Sequence, residues 1–312
     1  MRKRSEFEGK LAEIFGSHKQ LVDSQLVYLS NLTEGELASF KQVWVKADKE
    51  RKRQVLRHLL ELSENNLVLD FTKVFLTCLE DSDKDITVQA IVCLEGEEDS
   101  CIILPLVRLL REGKTEEVRA TAATALGQFA MLAELGKLSQ EEAREVYSAL
   151  LAVTEDEAES VEVRRRALEA IAPMDSPRVK QLIEQSYRSN NVKVKASALY
   201  AMGRNCDPAW LPIVIRERNN SEAEIRYEVA EACGEFGLEE VVPYLIELAQ
   251  DRDIQVRGAS VRALEEISGL KARQALGQLL NSSYQDVRQA AQETLAELEF
   301  RPYSFGVNSQ QG

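Results

Sequence analysis

The sequence predicts an all-α fold, an α-solenoid of about eight stacked helical hairpins. Two observations support this prediction: one segment type recurs at a nearly constant distance, and each copy has the apolar spacing of a helix. Successive copies are 31 residues apart, except for a step of 32 before Val118 and a step of 45 after it. We call the first residue of each copy its anchor, and the anchors are Val55, Ile86, Val118, Val163, Val194, Ile225, Val256 and Val287.

Each anchor begins a predicted helix, the second of its hairpin. Apolar or small residues recur at the anchor and at four, seven and eight positions after it, which is one face of an α-helix. Many of these residues are alanine, and Gly203 and Gly234 also belong to the pattern. Such small side chains allow neighbouring helices to approach closely.

A first helix precedes each anchor. Its apolar residues lie 15, 12 and 11 positions upstream, as Ile103, Leu106 and Val107 do before Val118. Pro105, Pro212 and Pro243 share one position, 13 before the anchor, and proline is tolerated in the first turn of a helix. Each unit is therefore a helix–turn–helix whose buried face is completed by the next unit.

The segment from Val118 to Gly127, Val-Arg-Ala-Thr-Ala-Ala-Thr-Ala-Leu-Gly, resembles the HEAT repeats of the phycobilisome-lyase-like class. The resemblance covers roughly residues 35 to 300. It implies a HEAT-like α-α superhelix and carries little information about function, because such repeats serve many tasks.

The flanks and one interruption complete the predicted organisation. Residues 1–32 are expected to form N-terminal capping helices with a basic start, residues 33–300 the solenoid, and residues 301–312 a disordered tail. The long step places an insertion at about 128–142, after which Ser139 to Glu142 reads as a capping box. We expect a longer first helix and a protruding loop there, which could equally be a binding element or a neutral elaboration.

Composition restricts the class of partner and compartment. A formal net charge of -13 makes nonspecific nucleic-acid binding unfavourable. The five cysteines form no CxxC pair, which favours a reducing compartment, and we expect a cytoplasmic protein. No export signal is visible, and the apolar runs are too short to span a bilayer, so no membrane association is expected.

The sequence offers little catalytic chemistry. Of the two histidines, His18 and His58, neither is followed by Glu, as the iron-binding His-Glu pairs of HEAT-type deoxyhypusine hydroxylases would require. The run Asp81-x-Asp83-x-Asp85 copies the start of a calcium loop but lacks its glycine and its final glutamate, so we interpret it as helix capping. We predict no catalytic residue, no metal and no cofactor, and hence no enzyme.

Two sets of cations could be taken for a phosphate-binding surface. A basic residue follows the anchor in six units, and we expect it to pair with turn acids such as Glu162, Glu224, Asp253 or Asp286. We interpret the basic run from Lys46 to Arg57 as a solvated helix face, with contact to nucleic acid or an acidic protein as the alternative. Cys78, Cys93 and Cys233 are predicted core residues. We call the basic residues that follow the anchors the ladder cations, and these six are Arg119, Arg164, Lys195, Arg226, Arg257 and Arg288.

These observations predict a non-catalytic protein–protein interaction scaffold that binds another protein. We expect the second helices to line a concave side, with the binding side chains among their exposed arginines and aromatic residues. Two alternatives remain: a bilin-lyase-like or chaperone-like accessory factor to an enzyme, and a HEAT-like DNA-binding protein. The candidate binding residues are Arg108, Arg111, Tyr187, Arg188, Arg216 and Arg218.

Overall fold

The prediction of an all-α solenoid is confirmed. The computed structural model describes residues 4–16, 21–66 and 68–300, and these residues form eighteen α-helices and no strand. His18 and the tail 301–312 lie outside the described residues. Within the described part, no helix has the length and apolar character needed to cross a bilayer. The helices are α1 Arg4–Phe15, α2 Asp23–Leu26, α3 Glu34–Trp44, α4 Lys49–Asn65, α5 Thr72–Cys78, α6 Lys84–Val92, α7 Ile103–Glu112, α8 Glu116–Glu134, α9 Gln140–Glu155, α10 Val161–Ile171, α11 Pro177–Tyr187, α12 Val192–Asn205, α13 Leu211–Arg216, α14 Ala223–Phe236, α15 Val242–Leu248, α16 Ile254–Ile267, α17 Leu270–Leu279 and α18 Gln285–Phe300.

Helices α3 to α18 form eight consecutive helix–turn–helix pairs, with every anchor on the second helix of its pair. The chain divides into two compact units, residues 1–171 with α1–α10 and residues 172–312 with α11–α18. Seven of the eight anchors are buried, and Val194 is half-buried. Val194 lies on α12, the first of the second helices in its unit. The three prolines lie in first turns, as predicted.

Small residues let the second helices of successive hairpins pack closely within each unit. A Cβ atom added at Gly203 of α12 would lie 2.8 Å from the Cα atom of Ala232 on α14. Gly234 meets Ala263 of α16 in the same way, at 3.1 Å. The second helices consequently pack together more extensively than the first helices do.

The insertion lengthens two helices. α8 has 19 residues and the first helix α9 has 16, whereas α12 has 14 and α11 has 11. Ser139 and Glu142 form the predicted capping box at the start of α9. The longer first helix is therefore present, but the extra residues also extend α8, and only residues 135–139 connect the two helices instead of a long protruding loop.

Helices α1 and α2 lie in the segment for which capping helices are expected. The ring of Phe15 meets the rings of Phe40 and Trp44 edge to face, each at 5.9 Å between centroids. The Nε atom of Arg51 donates to the backbone oxygen of Ile14 at 2.5 Å. These contacts join the end of α1 to α3 and α4, the first hairpin.

The basic run and the acidic run neutralise each other across neighbouring hairpins. The interpretation of the basic run as a solvated face is wrong for Arg51 and Lys52, which are both buried. The Nζ atom of Lys52 lies 2.7 Å from Asp81, and that of Lys49 lies 2.6 Å from Asp83. The Asp83 side chain also accepts from two backbone N–H groups of α6, which confirms the prediction of helix capping.

Asp85 should make the stability of the chain sensitive to acid. Hydrogen bonds from Lys49 and then Lys84 lower the pKa of Asp85 from 3.8 to about 2. Because the folded pKa lies below the unfolded one, the contribution of Asp85 is complete above about pH 4 and is lost as the pH falls towards 2. We expect wild-type protein to lose more stability over this interval than the Asp85→Asn variant does, in urea titrations at several pH values. Equal losses in the two proteins would contradict this assignment.

The prediction that the ladder cations pair with acids is confirmed for four of the six, whereas Arg288 donates to the backbone oxygen of Ser282. Of the four acids suggested as partners, Asp286 is the one that meets a ladder cation, Arg257, at 2.8 Å. Arg226 pairs with Asp251 at 2.6 Å and also donates to the backbone oxygen of Asn220. The remaining ion pairs of this kind join Arg119 to Glu159 and Lys195 to Glu217.

Cys78, Cys93 and Cys233 are buried, as predicted, and all five cysteines are free thiols. Burial raises the pKa of the Cys93 and Cys233 thiols to about 12. Thiols of this kind are protonated at neutral pH and act as small core residues.

Candidate functional site

The six candidate binding residues lie in the second halves of first helices or directly after them, and not on the second helices. They follow the three stripe residues of α7, α11 and α13, and Arg188 and Arg218 lie in the turns after α11 and α13. The sequence prediction assigned them to the wrong helix, because residues six to ten positions before an anchor still belong to the first helix or its turn. In order along the chain they are Arg108 and Arg111, Tyr187 and Arg188, and Arg216 and Arg218.

In the first unit, both candidates form exposed ion pairs with neighbouring hairpins. Arg108 lies 3.4 Å from Glu80 of the preceding hairpin, and Arg111 lies 3.2 Å from Glu145 of the next one. Exposed pairs of this kind contribute about 0–1 kcal/mol each. They link hairpins without excluding contact with a partner.

In the second unit, Tyr187 is the centre of a polar cluster. Its hydroxyl donates to Glu217 and accepts from Arg216 at 3.0 Å. The Nζ atom of Lys195 lies 4.9 Å from the centre of the ring. Burial, followed by the adjacent Glu217, raises the pKa of the Tyr187 phenol. The cluster holds Tyr187 in place between two hairpins.

The other two candidates of this unit are paired as well. Arg188 pairs with Glu184 of its own helix. Arg218 lies 3.1 Å from Glu247, and its guanidinium lies 5.3 Å from the Tyr244 ring. All six candidates therefore engage in contacts within the chain.

A second surface is formed by the exposed sides of α12, α14, α16 and α18, and we call it the second-helix face. Its side chains occupy equivalent repeat positions, six and ten residues after the anchor, except Tyr227, which lies two residues after its anchor. The sequence analysis did not identify this surface, although the positions six and ten residues after each anchor can be read from the same 31-residue repeat. The face comprises Tyr200, Arg204, Tyr227, Glu231, Glu235, Arg262, Glu266, Glu293 and Glu297.

Aromatic rings and ion pairs alternate along this face. Tyr200 is 38% exposed, which makes it the exposed aromatic residue of α12. Arg204 lies 2.8 Å from Glu235, and Arg262 lies 2.6 Å from Glu231. A surface that combines exposed aromatic and arginine side chains has the composition of protein-binding hot spots.

The carboxylate of Glu266 lies above the backbone of α14. A Cβ atom at Gly234 would come within 2.1 Å of its Oε2 atom, so the carboxylate would have to move if residue 234 carried a side chain. Partial burial, and then the nearby Glu231 and Glu235, raise the pKa of Glu266. The centre of the face therefore has a local excess of negative charge.

Comparison with known proteins gives three similarities. The chain is 23% identical over 186 residues to a deoxyhypusine hydroxylase of Eremothecium gossypii, covering 54% of this chain and 58% of that protein. Its fold is similar to a chain from a structure of Kap95p with RanGDP, with a TM-score of 0.51, 13% identity and coverage of 97% and 47%. It is also similar to a chain of the CpcE–CpcF complex of phycocyanin lyase from Nostoc sp. PCC7120, with a TM-score of 0.48, 17% identity and coverage of 73% and 94%.

The prediction of a non-catalytic scaffold is contradicted by the first of these relatives, because deoxyhypusine hydroxylase is an enzyme. The prediction of no enzyme is wrong for the same reason. Helical periodicity describes how helices pack, and it carries no information on whether the exposed side chains assist a reaction. The chain spans 58% of the length of this curated relative.

An iron centre held by His-Glu pairs does not fit the residues present. The Nδ1 atom of His58 lies 3.6 Å from Asp23 and 3.9 Å from Glu61, distances that belong to loose ion pairs. Residues 4–16, 21–66 and 68–300 contain no group of three or more His, Cys, Asp or Glu side chains arranged to hold a metal ion. We derive no reaction step through such a centre.

One part of the chain matches a family of known repeats. Residues 208–296 match the family model described as HEAT repeats, and this range lies within the second unit. The matched range begins just before α13 and ends within α18, so it covers three consecutive hairpins. Residues 208–296 therefore match HEAT repeats, and the described residues have a helical-solenoid fold.

Proposed function

We propose that the chain recognises another protein through the second-helix face and takes part in the enzymatic modification of that protein. The observation that carries the proposal is the row of exposed and half-buried tyrosine, arginine and glutamate side chains along α12, α14, α16 and α18. A row of this kind, one hairpin apart, fits an extended protein segment better than a small molecule. The similarity to an enzyme supports a role in modification.

The setting of the proposed reaction is the cytoplasm. All five cysteines are free thiols, and three of them are buried in the core. Free thiols in these numbers are typical of proteins from a reducing compartment.

Capture and mass measurement test this proposal together. Tagged wild-type chain and the Tyr200→Ala/Tyr227→Ala variant are added to lysates of source cells that lack the chain. We expect the wild type to retain a protein that the variant does not retain, because Tyr200 is exposed and Tyr227 is accessible in part, and aromatic side chains contribute strongly to binding. That protein should also differ in mass between cells with and without the chain.

The variant Arg216→Ala/Arg218→Ala is the matched control. It alters the first helices of the same unit and the turns that follow them, which we call the first-helix layer. We expect it to capture the protein as wild type does, and circular dichroism should show that both variants are folded at the temperature of the experiment. Loss of capture by this control alone would place the binding site on the first helices. A captured protein whose mass is the same in both kinds of cell would overturn the role in modification.

A further inference from the structure

The second-helix face carries a net negative charge. Of the eight positions that lie six and ten residues after the anchors of α12, α14, α16 and α18, five are glutamate, two are arginine and one is tyrosine. Each arginine is paired with one glutamate of α14. Glu266, Glu293 and Glu297 lie outside these two ion pairs, so the face has the charge to attract further cations.

Arg262 shows how the face holds a guanidinium group. Its guanidinium lies 6.0 Å from the centre of the Tyr227 ring, while its Nη2 atom lies 2.6 Å from Glu231. The side chain of Arg262 remains 52% exposed. Two elements bind arginine and lysine side chains: an aromatic ring beside the cation, and a carboxylate that accepts hydrogen bonds from the charged group.

Gly258 leaves a gap in the surface of α16 beside the side chain of Arg262. Gly258 of α16 occupies the position that Tyr227 occupies on α14, two residues after the anchor. An added Cβ atom there would meet only the Nη1 atom of Arg262, at 3.5 Å. The missing side chain leaves space for a long side chain of a partner beside Arg262.

We propose that the second-helix face binds a segment of another protein that is rich in lysine and arginine. The proposal rests on the function proposed above and adds the chemistry of the recognised segment. Cationic side chains of the segment lie against Glu266, Glu293 and Glu297, and the rings of Tyr200 and Tyr227 stack against them. Charge complementarity of this kind favours the basic segment and repels the phosphate backbone of nucleic acids.

Fluorescence anisotropy with a short labelled peptide of alternating arginine, lysine and glycine tests this proposal. The full chain should bind the peptide, and the affinity should fall as salt is added. The variant Glu266→Gln/Glu293→Gln/Glu297→Gln removes three charges from the face and leaves its two ion pairs, Arg204–Glu235 and Arg262–Glu231, in place. We expect this variant to bind about tenfold more weakly than wild type.

The matched control removes the same number of charges from the first-helix layer, as Glu184→Gln/Glu240→Gln/Glu247→Gln. It should bind the peptide as wild type does. Equal losses in the two variants would show that only net charge matters and would overturn the proposal, as would wild-type affinity in the face variant. An acidic peptide of the same length that binds as well as the basic one would also overturn it.

The two proposals fail in distinguishable ways. Suppose that the basic peptide does not bind, but Tyr200→Ala/Tyr227→Ala still abolishes capture of a protein that changes mass. The proposed function is then supported, and the proposal that the recognised segment is rich in lysine and arginine is wrong. If the peptide binds and the captured protein shows no mass difference, the proposed binding of a basic segment is supported and the proposed role in modification is wrong.

Discussion

Replacement of Arg226 by alanine is expected to lower the free energy of unfolding by about 3–5 kcal/mol. The guanidinium of Arg226 is buried, makes two hydrogen bonds to Asp251 and donates to backbone oxygens of its own turn. Without it, the largely buried Asp251 carboxylate would lose the guanidinium that donates to both of its oxygens. Urea denaturation followed by circular dichroism measures the change.

The Arg262→Ala variant is the control for this measurement. Arg262 also pairs with a glutamate, but its side chain is 52% exposed, so the loss should be within about 1 kcal/mol. A loss for Arg226→Ala as small as that for Arg262→Ala would contradict the view that the buried ladder pairs join successive hairpins.

The second large effect is expected for Gly203→Ala, which should lower the free energy of unfolding by about 1–3 kcal/mol. The added methyl group would lie 2.8 Å from the Cα atom and 2.9 Å from the Cβ atom of Ala232. The resulting repulsion between α12 and α14 outweighs the gain in helix propensity that alanine brings, about 1 kcal/mol.

The same substitution at Gly277 of α17 should have the opposite sign. No atom lies within 4 Å of a Cβ atom built there, so only the helix propensity changes. We expect Gly277→Ala to raise the free energy of unfolding by about 0.5–1 kcal/mol. A change of the same sign at both glycines would show that close helix packing at Gly203 is not what requires glycine.

The hairpins were predictable because the information is local. The 31-residue register placed Val118 and Val256 on second helices and Pro105 in a first turn, since each pattern lies within one repeat. The same register failed for the six candidate binding residues only because they were assigned to the helix after the turn instead of the helix before it.

The partners of charged residues were harder to predict because they depend on turn conformation. Asp253 was expected to pair with a ladder cation, but its side chain caps α16 by accepting from Gln255 and Val256. This leaves Asp251 as the carboxylate that faces Arg226. Glu162 is likewise engaged by Arg165 and is not available to the ladder.

The function was less predictable than the fold. The repeat pattern constrains buried positions, whereas recognition depends on exposed positions such as Tyr200 and Glu266, which the pattern leaves free to vary. The closeness of Glu266 to Glu231 and Glu235 depends on Gly234, a contact between two hairpins that becomes evident only in three dimensions.

Site-specific photocrosslinking in source cells tests most directly whether a protein substrate lies on the second-helix face. A photoreactive amino acid is introduced at Tyr200 on α12 in one protein and at Arg188, in the first-helix layer, in another. We predict that position 200 crosslinks to the protein whose mass depends on the chain, and that position 188 does not. Crosslinking of that protein from position 188 alone would contradict the account.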